Sequence, residues 1–162
     1  MDTDAAAFAE FYAGASDDCL RVVLATVRDR QTAEDLVAEA FARAWASWPK
    51  VSRHPAPRAW VVRTALNAHR SWWRRHRREV VMAEVSATAA EPAAEPAGEL
   101  MAAVLALPLR QRQVVACRLF LDLDTAQTAQ TIGIAPGTVT AHLNRAISAL
   151  RGDFAHLAYK EQ

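Results

Sequence analysis

Apolar positions in this chain recur at helical spacing along almost its whole length, and they rarely alternate as a strand would require. Phe8, Phe11 and Tyr12 predict a first helix, and Leu20, Val23, Leu24 and Val27, at i, i+3, i+4 and i+7, predict a second. Thr32 can cap a third, with Asp35 near its positive end and Val37, Phe41, Ala44 and Trp48 along one side until Pro49 stops it. Beyond a proline-containing loop from Pro49 to Pro57, a fourth helix is expected over 58–78. Ala83 to Gly98 is rich in Ala, Glu and Pro, lacks apolar periodicity beyond alanine, and reads as a flexible linker with a reach on the order of 20 Å. Helices resume over 99–106, 109–120, 125–131 and 136–151. The expected fold is all-α, with two small helical domains: a four-helix bundle over 1–80, a flexible acidic linker over 81–98 and a second domain over 99–162.

The second domain carries the most specific local pattern, a helix-turn-helix. Asp124 is a candidate N-cap with Gln127 three residues on, and Ala126 and Ala129 are small enough for close helix approach. Gly133 can take the left-handed backbone of a tight turn, and Pro136 suits the first turn of the next helix. That helix lines Val139, Leu143, Ala146, Ile147 and Leu150 on one side. Thr138, Thr140, Ala141, Asn144 and Arg145 surround the rest, polar and short as a helix entering a DNA groove requires. Two short helices around a glycine also occur in many helical domains, so spacing alone leaves plain core packing beside DNA recognition.

Charge changes that balance. The net charge of +1 hides three blocks: nine acids against three bases in residues 1–39, ten bases and no acid from Ala40 to Arg78, then five acids and no base from Glu79 to Glu99. All five tryptophans fall in the basic block. On the fourth helix Arg63, Asn67, Arg70, Arg74 and Arg77 recur at four, three, four and three residues and form one polar ridge, suited to a phosphate backbone. Nearby aromatics suit stacked bases. We read Trp60, Val61, Ala65, Ala68 and Trp72 as core-facing and the arginine ridge as a nucleic-acid surface.

Other classes of function recede. His54, His69, His76, His142 and His156 show no metal spacing, no glycine-rich phosphate loop exists, and no serine or cysteine stands in a nucleophile motif. The expectation is therefore no enzyme, no metal or cofactor and no small-molecule substrate. Cys19 and Cys117 lie far apart without a CxxC or Cys/His cluster, which fits a reducing cytoplasm. No apolar run approaches a membrane span, and the acidic start Met1-Asp-Thr-Asp is unlike a signal peptide.

Four stretches, in this order, resemble the extracytoplasmic-function sigma factors, the smallest class of bacterial RNA polymerase sigma subunits. Ala33-Glu-Asp-Leu-Val-Ala-Glu-Ala-Phe-Ala-Arg-Ala-Trp45 is similar to the family's helix on the polymerase clamp. Ala59-Trp-Val-Val-Arg-Thr-Ala-Leu-Asn67 and the arginines after it resemble its promoter-melting segment. Leu107-Pro-Leu-Arg-Gln-Arg112 and Gly137-Thr-Val139 resemble its second domain. The resemblance implies core RNA polymerase and promoter DNA as partners, with an anti-sigma factor a further possible one. It implies polymerase contacts at Glu34, Asp35, Glu39 and Arg43, and a loop from Lys50 to Ala56 that captures a flipped base, with Lys50, Arg53 and His54. Asn67, Arg63, Arg70, Arg74 and Arg77 would then hold the separated minus-ten strand. Thr138, Thr140, Ala141, His142, Asn144 and Arg145 would face the minus-thirty-five element. The acidic linker would thread the polymerase cleft, either mimicking an RNA strand or simply solvated.

The chain also departs from the family pattern. Ala38 stands where the clamp helix usually has glutamine, Ala135 where a serine commonly starts the recognition helix, and Thr140 where a lysine or arginine is usual. A missing serine cap costs about 0.5 to 2 kcal/mol, and the missing base removes a phosphate or guanine contact. The alternative, a response-regulator-like helix-turn-helix factor, needs an α/β receiver upstream, and no strand-helix alternation is present.

Overall fold

A computed structural model describes residues 2–83 and 98–160, with side chains described to Arg77 in the first segment and to Asp153 in the second. Its helices are α1 (Asp2–Val27), α2 (Arg30–Ala46), α3 (Trp48–Val51), α4 (Pro57–Ala83), α5 (Gly98–Leu105), α6 (Leu109–Phe120), α7 (Thr125–Ile132) and α8 (Pro136–Lys160). No strand occurs among the described residues, and none of their helices is long and apolar enough to cross a membrane.

The first two expected helices are one. α1 runs unbroken through Gly14, a residue that costs a helix interior about 1 kcal/mol relative to alanine without by itself ending it. The N-terminal unit is therefore three long helices and the single turn of α3, not four comparable helices. α1 ends where Arg28 takes a left-handed φ of 63° and its N–H donates to the Leu24 carbonyl (2.9 Å). Asp29, not Thr32, then caps α2. Its carboxylate accepts from the Thr32 N–H at 2.9 Å and from the Thr32 hydroxyl, and these bonds, the hydroxyl's first, hold its pKa below the ordinary value. Pro49 does not merely stop a helix, because it sits in the first turn of α3, where its missing N–H is no loss.

Phe8, Phe11 and Tyr12 of α1 pack on Phe41, Trp45 and Trp48, with ring centroids 4.9 Å apart for Tyr12 and Phe41 and 5.2 Å for Phe8 and Trp48. Val22 and Val23 of α1 and Val61 and Val62 of α4 are fully buried. Arg58 ties α4 back to α1, donating to the Gly14 carbonyl (2.7 Å) and to Asp18 (3.1 Å). Burial pushes both thiols, Cys19 and Cys117, up to about 12, so they are packing groups and not nucleophiles.

In the C-terminal unit the local chemistry matches its sequence signals. Asp124 accepts from the Gln127 N–H (2.8 Å) while Gln127 Oε1 accepts from the Asp124 N–H (3.1 Å), a closed capping box. Gly133 takes φ 75° and Pro136 opens α8. Ala129 is buried but Ala126 is exposed, and Ile147 lies at the exposed margin of a stripe in which Val139 and Ala146 are the buried members.

The linker boundaries shift as well. α4 is kinked at His76, whose φ of −109° and ψ of 15° are not helical, and its described residues reach Ala83, while α5 begins at Gly98. The rest of the expected linker lies outside the described residues.

The two units are pressed together, α6 lying on α1 and α7 on α4. Arg112, only 7% exposed, reaches from α6 to donate through Nε to the Ala25 carbonyl of α1 and through a terminal nitrogen to the Leu107 carbonyl (3.1 Å). Gln113 donates to the Thr26 hydroxyl (3.0 Å), and Arg21 lies over the Phe120 ring.

Candidate nucleic-acid interface

Three surfaces carry the residues singled out by sequence. On α2, Ala33, Val37, Ala40, Phe41 and Ala44 are buried against the bundle, so Asp35, Glu39 and Arg43 project from the far side, with Glu34 on the flank. All four are exposed and have partners within the helix, ion pairs for Glu34, Glu39 and Arg43 and a neutral amide for Asp35. Arg30 meets Glu34 at 3.0 Å, Gln31 donates to Asp35 at 3.0 Å and Arg43 meets Glu39 at 2.5 Å. Exposed pairs of this kind contribute about 0.3 to 0.5 kcal/mol, so a partner can exchange them at small cost.

The second surface joins the loop after α3 to α4. Lys50 is exposed on α3, while Arg53 and His54 sit at the loop tip. His54 Nδ1 accepts from the Ala56 N–H at 3.0 Å, which fixes the turn before Pro57 opens α4. Along α4, Arg63, Asn67, Arg70 and Arg74 are exposed and share one side, as their spacing predicts, and Arg77 is exposed just beyond the kink at His76. A cleft begins at this ridge, lined by His54, Trp60 and Arg63 from the first unit and by Gln127, Gln130 and Thr131 of α7.

The tryptophans divide. Trp48 is buried and Trp60 half-buried, but Trp72 is 45% exposed, which corrects its placement in the core. The face of α4 that packs Val61, Val62, Ala65 and Leu66 inward continues past the end of the bundle, and there it presents Trp72 and Trp73 to solvent. These rings are held in place. Trp72 stacks on His76 at 4.6 Å, Trp73 meets Trp72 edge-on at 5.6 Å, and the Trp73 indole donates to His69 Nε2 at 2.9 Å. Accepting that proton requires a neutral imidazole, and burial holds His69 below its ordinary pKa. Sequence periodicity misses this pair because periodicity does not tell where the bundle ends.

The third surface is α8. Thr138, Thr140, Ala141, Asn144 and Arg145 are exposed around the side opposite Val139 and Ala146, while His142 is half-buried. The Thr140 hydroxyl folds back on the Pro136 carbonyl at 3.4 Å. The second surface touches the helix that precedes α8: Arg70 donates to the Ile132 carbonyl of α7 at 2.8 Å, beside the Gly133 turn. Among the described residues no cluster of His, Cys, Asp or Glu has the arrangement of a metal site.

Comparison with known proteins follows the same division. The sigma-70 region 2 family matches residues 12–79, and the sigma-70 region 4 family matches residues 97–150. The RNA polymerase sigma-E factor of Streptomyces coelicolor is 30% identical over 148 residues, covering 89% of this chain and 84% of that protein. The sigma-E factor of Streptomyces antibioticus is 32% identical over 148 residues, covering 89% and 82%. The sigma factor RpoE of Bartonella quintana, solved in complex with the anti-sigma factor NepR, superposes with a TM-score of 0.71 at 20% identity, covering 90% of this chain and 94% of that one, a likeness of fold.

Proposed function

The chain belongs to the sigma-70 family of RNA polymerase sigma factors, of the extracytoplasmic-function type, and from that membership we propose which of its surfaces carries each step of initiation. As a sigma factor it binds core RNA polymerase and directs transcription initiation at promoters; it belongs to a class of transcription factors, not of enzymes. The outward face of α2, with Glu34, Asp35, Glu39 and Arg43, docks on the polymerase. Lys50, Arg53 and His54 receive a flipped minus-ten base, and Arg63, Asn67, Arg70, Arg74 and Arg77 hold the separated strand. The exposed face of α8, with Thr138, Thr140, Ala141, His142, Asn144 and Arg145, reads the minus-thirty-five element. Residues 1–80 and 99–162 act as the two functional domains, in the cytoplasm where the polymerase is, without a cofactor or small-molecule substrate. An anti-sigma factor, the partner of the Bartonella relative, is a proposed regulator.

The observation that carries this reading is the α4 ridge: four arginines and an asparagine, all exposed, on a segment from Ala40 to Arg78 without one acid. Phosphates are attracted there without a carboxylate of the same segment to repel them, and unstacking a base, which costs a few kcal/mol, needs such contacts to offset it.

A salt series tests the groove-reading face. Thr140 lies on the flank of the Val139 stripe, so a lysine there can pack its stem at the edge and reach outward. Thr140→Lys should strengthen binding to the upstream element by about 1 kcal/mol and steepen its salt dependence by about one unit. Arg145→Ala should weaken binding. An unchanged affinity and slope in a folded Thr140→Lys protein would show that α8 does not dock by this face.

A further inference from the structure

The cleft that begins at the α4 ridge encloses about 120 Å³. At a share of ~30 Å³ for each water it displaces, that is room for a single six-membered ring with one substituent. Its apolar lining is Pro55, Ala56, Ala59 and the half-buried indole of Trp60. Its polar lining comes from His54 and Arg63 on one side and from Gln127, Gln130 and Thr131 of α7 on the other.

Donors dominate what that polar lining has left to offer. His54 Nδ1 accepts from the Ala56 N–H (3.0 Å), so the neutral imidazole carries its proton on Nε2. Gln127 Oε1 accepts from the Asp124 N–H (3.1 Å), which leaves the amide NH2 of Gln127 as a donor. The Thr131 hydroxyl spends its proton on the Gln127 carbonyl (2.7 Å) and keeps only lone pairs. Arg63 has no hydrogen bond or ion pair among the described residues, so its whole guanidinium is free, and the Gln130 amide is free as well. No carboxylate lines the cleft. Such a lining repels cations and suits an anion with a flat apolar body. An arginine–carboxylate bond is about twice as strong as a neutral one, and a ring gains further by packing on an indole.

We infer that this cleft is a ligand site for a small aromatic monocarboxylate, benzoate in size, held by Arg63 and the α7 amides with its ring against Trp60. A nucleotide also joins a flat ring to an anion, but its sugar and phosphate exceed the volume of the cleft. Because Arg63 and His54 belong to the surface proposed for the minus-ten element, an occupied cleft withdraws both from the separated strand, and the ligand competes with promoter DNA. This competition, unlike the site itself, rests on the strand-holding role proposed for the ridge.

The probe is 4-fluorobenzoate, observed by fluorine NMR with the full chain. Its resonance should shift saturably, half-maximally at about 1 mM or below, a range open to a ligand of about ten non-hydrogen atoms. Gln130 is exposed, so Gln130→Glu sets a carboxylate in the lining without disturbing the fold. It should weaken binding about tenfold or more, as should Arg63→Gln. The cationic analogue 4-fluorobenzylamine should bind the Gln130→Glu protein better than wild type. With the cleft saturated by 4-fluorobenzoate, fluorescein-labelled oligothymidylate should bind about fivefold or more weakly. No saturable shift in wild type, or equal shifts in wild type and Gln130→Glu, overturns the site. Thymidine monophosphate displacing the probe at lower concentration than benzoate does assigns the cleft to the strand and overturns it as well. Saturable binding that leaves the affinity for oligothymidylate unchanged upholds the site and contradicts the strand-holding role of Arg63.

Discussion

Asn67→Ala and Arg74→Ala should each reduce open-complex formation on duplex promoters about tenfold or more while leaving the complex with core polymerase intact. Both side chains are exposed on the α4 ridge, apart from the α2 face proposed for polymerase docking and away from the buried core. Truncating either leaves the bundle intact but removes a contact to the separated strand, and one such contact is worth about 1 to 3 kcal/mol. Because 1.4 kcal/mol is a factor of ten, the loss is large enough to read by permanganate reactivity of unpaired thymines. A template already melted across the minus-ten element should partly rescue Asn67→Ala, since the opening step has been done for it. Core binding that falls in parallel with opening would assign the defect to folding.

The second large effect is structural. Ile132 is fully buried at the end of α7, where its carbonyl also receives Arg70 and Arg110. Ile132→Ala removes buried methylenes and leaves a cavity, which costs about 2 to 5 kcal/mol, enough to lower Tm by on the order of 10 °C in a chain of this size. Ile147→Ala, at 37% exposure on α8, should cost under about 1 kcal/mol. Thermal unfolding monitored by circular dichroism separates them. Equal shifts would contradict the assignment of Ile132 to the core and of Ile147 to its margin.

What the sequence discloses and what it conceals follow the range of the interactions. The capping box of Asp124 and Gln127, the left-handed Gly133 and Pro136 at the head of α8 are set within a few residues, and each is visible in the amino-acid order. The polar ridge of α4 is likewise a matter of helical spacing. Helix ends are less legible. Asp29 and Thr32 are both competent caps, and geometry alone selects the earlier one. Gly14 invites a break that the packing of α1 against α2 overrides. Trp72 belongs by period to the apolar face of α4, but α4 outlasts the bundle it packs against, so the ring emerges into solvent. Least legible is the contact between the two units. Arg112 meets Ala25 across 87 residues of sequence, and nothing local distinguishes it from Arg110 or Arg118. Its burial is a property of the assembled pair of units.

The account stands most directly on one reconstitution. Purified chain mixed with core RNA polymerase should co-elute with it on gel filtration at low salt, and the complex should yield transcripts from a subset of promoters in a genomic library that core alone does not transcribe. Failure to associate with core under those conditions, by a protein whose circular dichroism and melting show it folded, would contradict the account at its root.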